Sequence, residues 1–241
     1  MRIKAAVAYE GEELFRLESL ELDEPRADEV RVKIAGVGIC HSDLVFKGGA
    51  MKYTHPVVFG HEGSGVVEAV GSAVTKVIPG DKVVLTFHSC GNCDHCGTDE
   101  PAYCESFVPL NFVGRRADGT TSLRNAKGEV ISNFFGQSSF ATHALAYERN
   151  IIKLDDDVPL ELMGPLGCGV QTGAGAVLRA LDVCNGTTIL ITGGGAVGLS
   201  AVMAAAIREC KIIIVVEPIK ARRDLAISFG ATHTILSLIH I

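Results

Sequence analysis

The sequence predicts two domains in series: an antiparallel β barrel or sandwich, then a doubly wound α/β unit that is left incomplete. Three observations predict this. Short segments in the first part alternate apolar and polar residues and are separated by turn residues. Near Gly167 the rhythm changes to alanine-rich helical stretches between β-branched runs. A glycine turn at 193–198 then follows an apolar strand and opens a helix.

In chain order, 3–8 reads as the first strand. Val30, Val32 and Ile34 alternate with Arg31 and Lys33, the period of a half-buried strand, and 82–85 looks similar. Val77-Ile78-Pro79-Gly80-Asp81 is a turn. The polar, glycine-containing stretch 115–128 is expected to be a surface excursion, and 134–146 returns to a buried pattern. Helix is expected over 170–181, strand over 188–192, helix over 196–208 and strand over 211–216. The β-branched run of that last strand predicts burial on both faces. A further helix spans 219–229, with Gly230 placed as its C-terminal cap. A third strand begins at 232–235, whereas a full dinucleotide fold needs about six. The last six residues, 236–241, spell what a common transposon sequencing adaptor encodes in frame, and are expected to be read-through. The expected domains are therefore 1–169, with a lobe over about 88–106, and 170–235. The fragment itself is expected to be inactive, with apolar faces of 196–208 and 211–216 exposed.

The 241 residues are 47% hydrophobic and 21% charged, enough to bury a core. Net charge is −6 and no Lys/Arg cluster stands out, which argues against nucleic acid and anionic membrane as partners. The N-terminus lacks the apolar core of a signal peptide, and no apolar run is long enough to span a bilayer. A soluble, cytoplasmic protein is expected.

Four of the eight cysteines, Cys90, Cys93, Cys96 and Cys104, follow a C-x2-C-x2-C-x7-C spacing. Short spacers let thiolates converge on one ion, and four thiolates with no open position describe a structural zinc. An iron–sulfur cluster is the competing metal site. Cys40, His61 and Cys168 form a different set, drawn from three distant segments. Three ligands leave a fourth position for water or substrate, the pattern of a catalytic zinc. Two packed cysteines and a core histidine would leave the same trace. Cys184 and Cys210 are assigned to packing.

In Gly193-Gly194-Gly195-Ala196-Val197-Gly198 the first glycine allows the tight turn, Gly195 lets a pyrophosphate approach, and Gly198 lets helix and strand pack closely. Glu217 ends the next strand, where a carboxylate bonds both ribose hydroxyls and repels a 2′-phosphate, favouring NAD over NADP. Arg222 is a second candidate ribose contact, or a plain surface charge.

Together these residues resemble the zinc-dependent alcohol dehydrogenases of the medium-chain dehydrogenase/reductase family. Gly60-His61-Glu62-x2-Gly65-x5-Gly71-x2-Val74 is similar to that family's zinc signature, and the order of the cysteines, histidine and glycine turn also matches. Stretches 111–116, 136–140 and 164–169 look like the aryl-alcohol (benzyl-alcohol) branch. The resemblance implies a GroES-like β-barrel catalytic domain and a Rossmann domain, two zinc ions per chain and NAD. It implies a catalytic zinc on Cys40, His61 and Cys168, with Glu62 behind it as an alternate ligand. Asp43 would orient His61, and Ser42 would accept the alcohol proton. His41 would face the cofactor pyrophosphate and Thr172 the nicotinamide, next to Gly193, Gly195, Ala196, Val197, Gly198, Glu217 and Arg222 on the cofactor side. Phe87, Leu110, Phe134 and Phe135 would shape the substrate channel; each could equally be core. Many relatives carry a histidine where this chain has Val45, so His41 is the candidate exit for the proton. The implied reaction is oxidation of a primary, aromatic or allylic alcohol to the aldehyde, and its reverse, by an enzyme that is a homo-oligomer when full length. A glutathione-dependent formaldehyde dehydrogenase and a non-catalytic zinc-stabilised binding protein are the alternatives.

Overall fold

The computed structural model describes residues 1–236 and divides into two units, Met1–Gly167 and a second beginning at Cys168. In the first unit the elements are β1 (Arg2–Ala8), β2 (Arg16–Leu22), β3 (Glu29–Val37), α1 (His41–Lys47), β4 (Val57–Val58), β5 (Gly63–Val70) and β6 (Lys82–Leu85). Then come α2 (Asp94–Gly97), α3 (Phe107–Phe112), β7 (Leu123–Arg124), β8 (Val130–Ile131), β9 (His143–Tyr147) and β10 (Ile151–Lys153). Two five-stranded sheets result, in the orders β4-β1-β2-β7-β8 and β10-β6-β5-β3-β9. The expected alternation of β3 is present: Val30 and Val32 are fully buried while Arg31 and Lys33 are not. The 77–81 turn closes with the Asp81 N–H donating to the Ile78 carbonyl at 3.1 Å, and Gly80 takes φ +100°.

Backbone approaches are close enough to exclude side chains. A Cβ on Gly65 would sit 2.1 Å from the Lys33 carbonyl oxygen, beside an irregularity in the β3–β5 register. One on Gly167 would sit 1.8 Å from that of Leu85. The first contact seats β5 against β3, and the second seats the 164–167 segment against the end of β6.

The stretch 115–128 is at the surface as expected over 117–119 and 126–128, but Arg116 and 121–123 are buried. It folds into a hairpin that adds β7 to β2. Arg116 is only 4% exposed. Its guanidinium donates to Glu29 in a bidentate pair at 2.6 and 2.9 Å, and to Asp23 at 2.8 Å and the Thr121 carbonyl at 3.1 Å. The segment is polar on two counts: 117–119 and 126–128 face water, and Arg116 carries a buried ion pair.

The second unit holds α4 (Gly169–Gly175), running on into a π-helical turn at Ala176–Ala180, then β11 (Thr188–Thr192), α5 (Ala196–Ile207), β12 (Ile212–Val216), α6 (Lys220–Ser228) and β13 (His233–Ile235). The three strands pair in parallel in the order β11-β12-β13. Gly230 follows α6 at φ +114°, as its capping place requires. The core gathers Val177, Ile189, Ile191, Val202, Ala205, Ile213, Val215 and Ala226. Burial of β12 on both faces is not what is seen. Ile213 and Val215 are buried, but Ile212, Ile214 and Val216 are only half-buried. Among the described residues the apolar packing therefore collects on one face of this sheet. Cys210 packs against the core, but Cys184 is exposed and does not pack as expected. Of the suspected read-through, 237–241 lies outside the described residues.

Candidate active site and metal centres

Cys40 caps the N-terminus of α1 with extended backbone, φ −84° and ψ 152°. Asp43, one turn along and fully buried, accepts the Cys40 N–H with Oδ2 at 3.0 Å. With Oδ1 it accepts the Gly60 N–H at 3.0 Å and lies 3.0 Å from His61 Nδ1. One carboxylate thus fastens the helix that carries Cys40 to the turn that carries His61. Because Nδ1 faces Asp43, Nε2 is the ring nitrogen left for a metal. Burial by itself disfavours a charged His61. The bonds to Asp43 and to Cys40 outweigh it and raise the ring to about 9 without a metal. A cation held by Cys40, His61 and Cys168 would compete with that proton.

Cys168 is the N-cap of α4 and directly follows the clamped Gly167. The ligand atoms of Cys40, His61 and Cys168 all lie within 4.8 Å of one another. Tetrahedral zinc, with bonds of about 2.0–2.3 Å, sets its ligand atoms roughly 3.3–3.8 Å apart, so the trio fits one ion and leaves a place open. Glu62 is buried, with Oε2 against the backbone of Gly38, and is not a member of this group. Ser42 is half-buried, with Oγ 3.7 Å from the Cys40 Sγ, and His41 is exposed.

Phe135 stacks on the His61 ring at 4.5 Å and 20°, from a backbone at φ +52°. Phe134 meets the same ring edge-on at 5.4 Å. It is fully buried in an aromatic cluster with Phe46, Tyr53, Phe59 and Phe112. Leu110 and Phe87 are half-buried, the latter against Phe107.

In the lobe, the four sulfurs of Cys90, Cys93, Cys96 and Cys104 also lie within 4.8 Å of one another, with Cys90 and Cys96 3.9 Å apart. That separation is close to the roughly 3.8 Å expected between thiolates on one zinc. Hydrogen bonds from the backbone of Asn92 and Cys93 hold the Cys90 thiol well below its ordinary value, so it ionises readily. Cys104 Sγ accepts the Cys90 N–H at 3.3 Å.

The glycine turn of the second unit has Gly193 at φ +92°, its N–H donating to the Val216 carbonyl at 2.8 Å. Gly195 caps α5, and a Cβ there or on Gly193 would meet nothing within 4 Å. That open space beside helix amides suits a phosphate. Val197 is exposed, and Ala196 begins the helix. A Cβ on Gly198 would lie 1.9 Å from the Gly193 carbonyl oxygen. Glu217 is buried; Oε2 accepts the Gly194 N–H at 2.6 Å and Oε1 the Ile219 N–H at 2.8 Å. Burial raises its pKa, but these two amides lower it further, and the carboxylate is favoured. Arg222 is half-exposed, 3.9 Å from Glu217. Thr172 is an exposed residue of α4.

Sequence reading singled out stretches 136–140 and 111–116 but assigned no role to Gln137 or Asn111, and it missed Asn150. Each is a buried carboxamide that bonds backbone groups around these loops. Asn111 accepts the His88 N–H and donates to the His88 carbonyl, both at 2.8 Å, which pins the stem of the lobe. A polar residue inside an apolar stretch, such as Gln137 just after Phe134-Phe135, was the available signal.

The family model described as the alcohol dehydrogenase GroES-like domain matches residues 26–156. The chain belongs to the GroES-like alcohol dehydrogenase family. This family member is 50% identical over 220 residues to a geraniol dehydrogenase of Castellaniella defragrans, covering 91% of the chain and 59% of that relative. It superposes with TM-score 0.96 on an alcohol dehydrogenase zinc-binding domain protein of Burkholderia ambifaria, at 48% identity over 98% of this chain and 64% of that one. With the benzyl alcohol dehydrogenase of Acinetobacter calcoaceticus the TM-score is 0.93 and the identity 45%, over 99% and 65% of the two chains. The alcohol dehydrogenase fold here is a GroES-like barrel followed by a partial Rossmann unit. The chain spans about three fifths of the length of the curated relatives it matches. Among the described residues no helix is long and apolar enough to cross a membrane.

Proposed function

We propose that the protein is a zinc- and NAD-dependent dehydrogenase that oxidises a primary alcohol to its aldehyde and reduces the aldehyde in return. The observation that carries this is the approach of Cys40, His61 and Cys168 to within 4.8 Å from three remote positions in the chain. When bound, a three-ligand zinc lowers the pKa of an alcohol hydroxyl, and the nicotinamide accepts hydride from the alcohol carbon. The residues of this chain do the rest. Asp43 holds His61 in one tautomer and one orientation. Ser42 takes the hydroxyl proton and hands it to His41, whose exposure gives it access to water where Val45 cannot titrate. Phe135 and the aromatic cluster behind it exclude water from the site and favour an apolar, flat substrate. The amides of the glycine turn hold pyrophosphate, and Glu217 receives the ribose hydroxyls. Cys90, Cys93, Cys96 and Cys104 of the lobe would hold the second zinc. The relatives named for geraniol and for benzyl alcohol support an allylic or aromatic alcohol.

The test is a panel of aromatic, allylic and saturated primary alcohols offered to the zinc-loaded full-length protein, with NADH formation followed by absorbance. Aromatic and allylic alcohols are expected to be turned over with NAD in preference to NADP. Absence of alcohol-dependent NADH formation across the panel defeats the proposal. Activity only when glutathione accompanies formaldehyde assigns the alternative substrate.

The cofactor turn gives an independent expectation. Gly198→Ala forces a methyl into the Gly193 carbonyl and opens the turn. NAD binding by calorimetry is expected to weaken at least about tenfold, the effect of roughly 1.4 kcal/mol, with zinc content unchanged. Unaltered NAD affinity would show that the turn does not cradle the cofactor.

A further inference from the structure

Gln137 is 2% exposed, and its carboxamide is fully engaged with backbone. Nε2 donates to the His61 carbonyl at 3.1 Å and to the Thr86 carbonyl at 3.2 Å, while Oε1 accepts the Gly63 N–H at 3.3 Å. It therefore ties the start of β5, where His61 sits, to the end of β6. Thr86 carries the connection on. Its N–H donates to the Asn150 carbonyl at 2.7 Å, and its hydroxyl donates to the Gly167 carbonyl at 2.8 Å. Gly167 precedes Cys168. A continuous buried path of hydrogen bonds thus runs from the residue bearing one ligand to the peptide bearing another: His61, Gln137, Thr86, Gly167, Cys168.

We propose that Gln137 and Thr86 are positioning residues whose shared brace sets the spacing of His61 and Cys168, and with it the hold of the three-ligand site on zinc. This rests on the zinc reading above. Neither residue touches the ion; each acts on the backbone that presents a ligand. Only an amide suits position 137, because it must donate twice and accept once. A carboxylate has no hydrogen for the two carbonyls, and an apolar side chain removes all three bonds. At position 86 the requirement is a hydroxyl, which valine lacks and serine keeps. The brace does not touch the four lobe cysteines, so its loss falls on one centre and spares the other. Residues behind metal ligands commonly change metal affinity by about 10–100-fold.

The test is zinc release from the zinc-loaded full-length protein into a colorimetric chelator. Two kinetic phases are expected from the parent protein, one per centre, assigned by the loss of one phase in Cys40→Ala. In Gln137→Met and Thr86→Val the phase of the three-ligand site is expected to accelerate about 10–100-fold, and the lobe phase to stay as it was. Thr86→Ser is expected to restore the parent rate. The double variant is expected to be no faster than the faster single one, because both break the same path. Equal acceleration of both phases overturns the brace, since general loosening explains it. Parent-like release in Thr86→Val overturns it as well. If Gln137→Met does not fold, the Thr86 pair decides alone. If the parent protein holds only the lobe zinc, the zinc reading fails and the brace with it.

Discussion

Cys40→Ala is expected to lower the zinc content of the full-length protein from two ions per chain to one and to reduce alcohol-dependent kcat/KM by about a thousandfold or more. Two remaining ligands, His61 and Cys168, are too few to retain an ion at a site where three ligand atoms otherwise lie within 4.8 Å of one another. Lewis-acid stabilisation is worth several kcal/mol, and each 1.36 kcal/mol is tenfold in rate, so a loss of about 4 kcal/mol gives that factor. The lobe is untouched, because its four sulfurs form a separate group. Metal analysis and steady-state kinetics on one sample decide the matter. A variant that loses one zinc and keeps its turnover would assign the trio a purely structural role and move the chemistry to other residues.

The second large effect is on stability. Glu29→Ala is expected to destabilise the barrel by about 3–5 kcal/mol, the cost of stripping a buried charge of its partner. Arg116 would keep Asp23 and the Thr121 carbonyl, but its Nε and Nη2, and the Arg26 N–H, would lose their acceptor. Glu21→Ala provides the comparison. Its pair with Arg2 is 3.5 Å long and exposed on both sides, 76% and 51%, so the expected cost is under about 1 kcal/mol. Denaturant unfolding followed by a probe in the barrel measures both. Similar losses for the two variants would mean that burial of Arg116 does not govern its energetics.

The candidate metal-binding groups were legible because their signal is local. Cys90 to Cys104 announces itself through short spacers, and His61 through flanking glycines. Even Cys168 stands between glycines at a helix entry. The strand boundaries at 82–85 and 188–192 followed from pattern alone and match β6 and β11 to the residue. What failed to show was whatever depends on a partner far away in the chain. Arg116 reads as a surface cation until Glu29 is placed beside it, 87 residues upstream. Gln137 reads as an interruption in an apolar run until the backbones of His61, Gly63 and Thr86 surround it. Cys184 reads as a packed thiol, yet the turn before β11 leaves it outside. A sequence reports what a residue can bond, whereas tertiary structure decides which offers are taken up.

The backbone contacts at Gly65 and Gly167 bear on how a saturation-mutagenesis map of this protein would look. At 2.1 and 1.8 Å there is no space for even a methyl group, and the obstructing atoms are main-chain oxygens that cannot swing aside. Both positions should reject all nineteen alternatives as strictly as the ligands do, although neither glycine has a functional group. Ranking residues by intolerance would therefore place silent spacers among the chemical participants, and only metal content measured variant by variant would tell the two kinds apart.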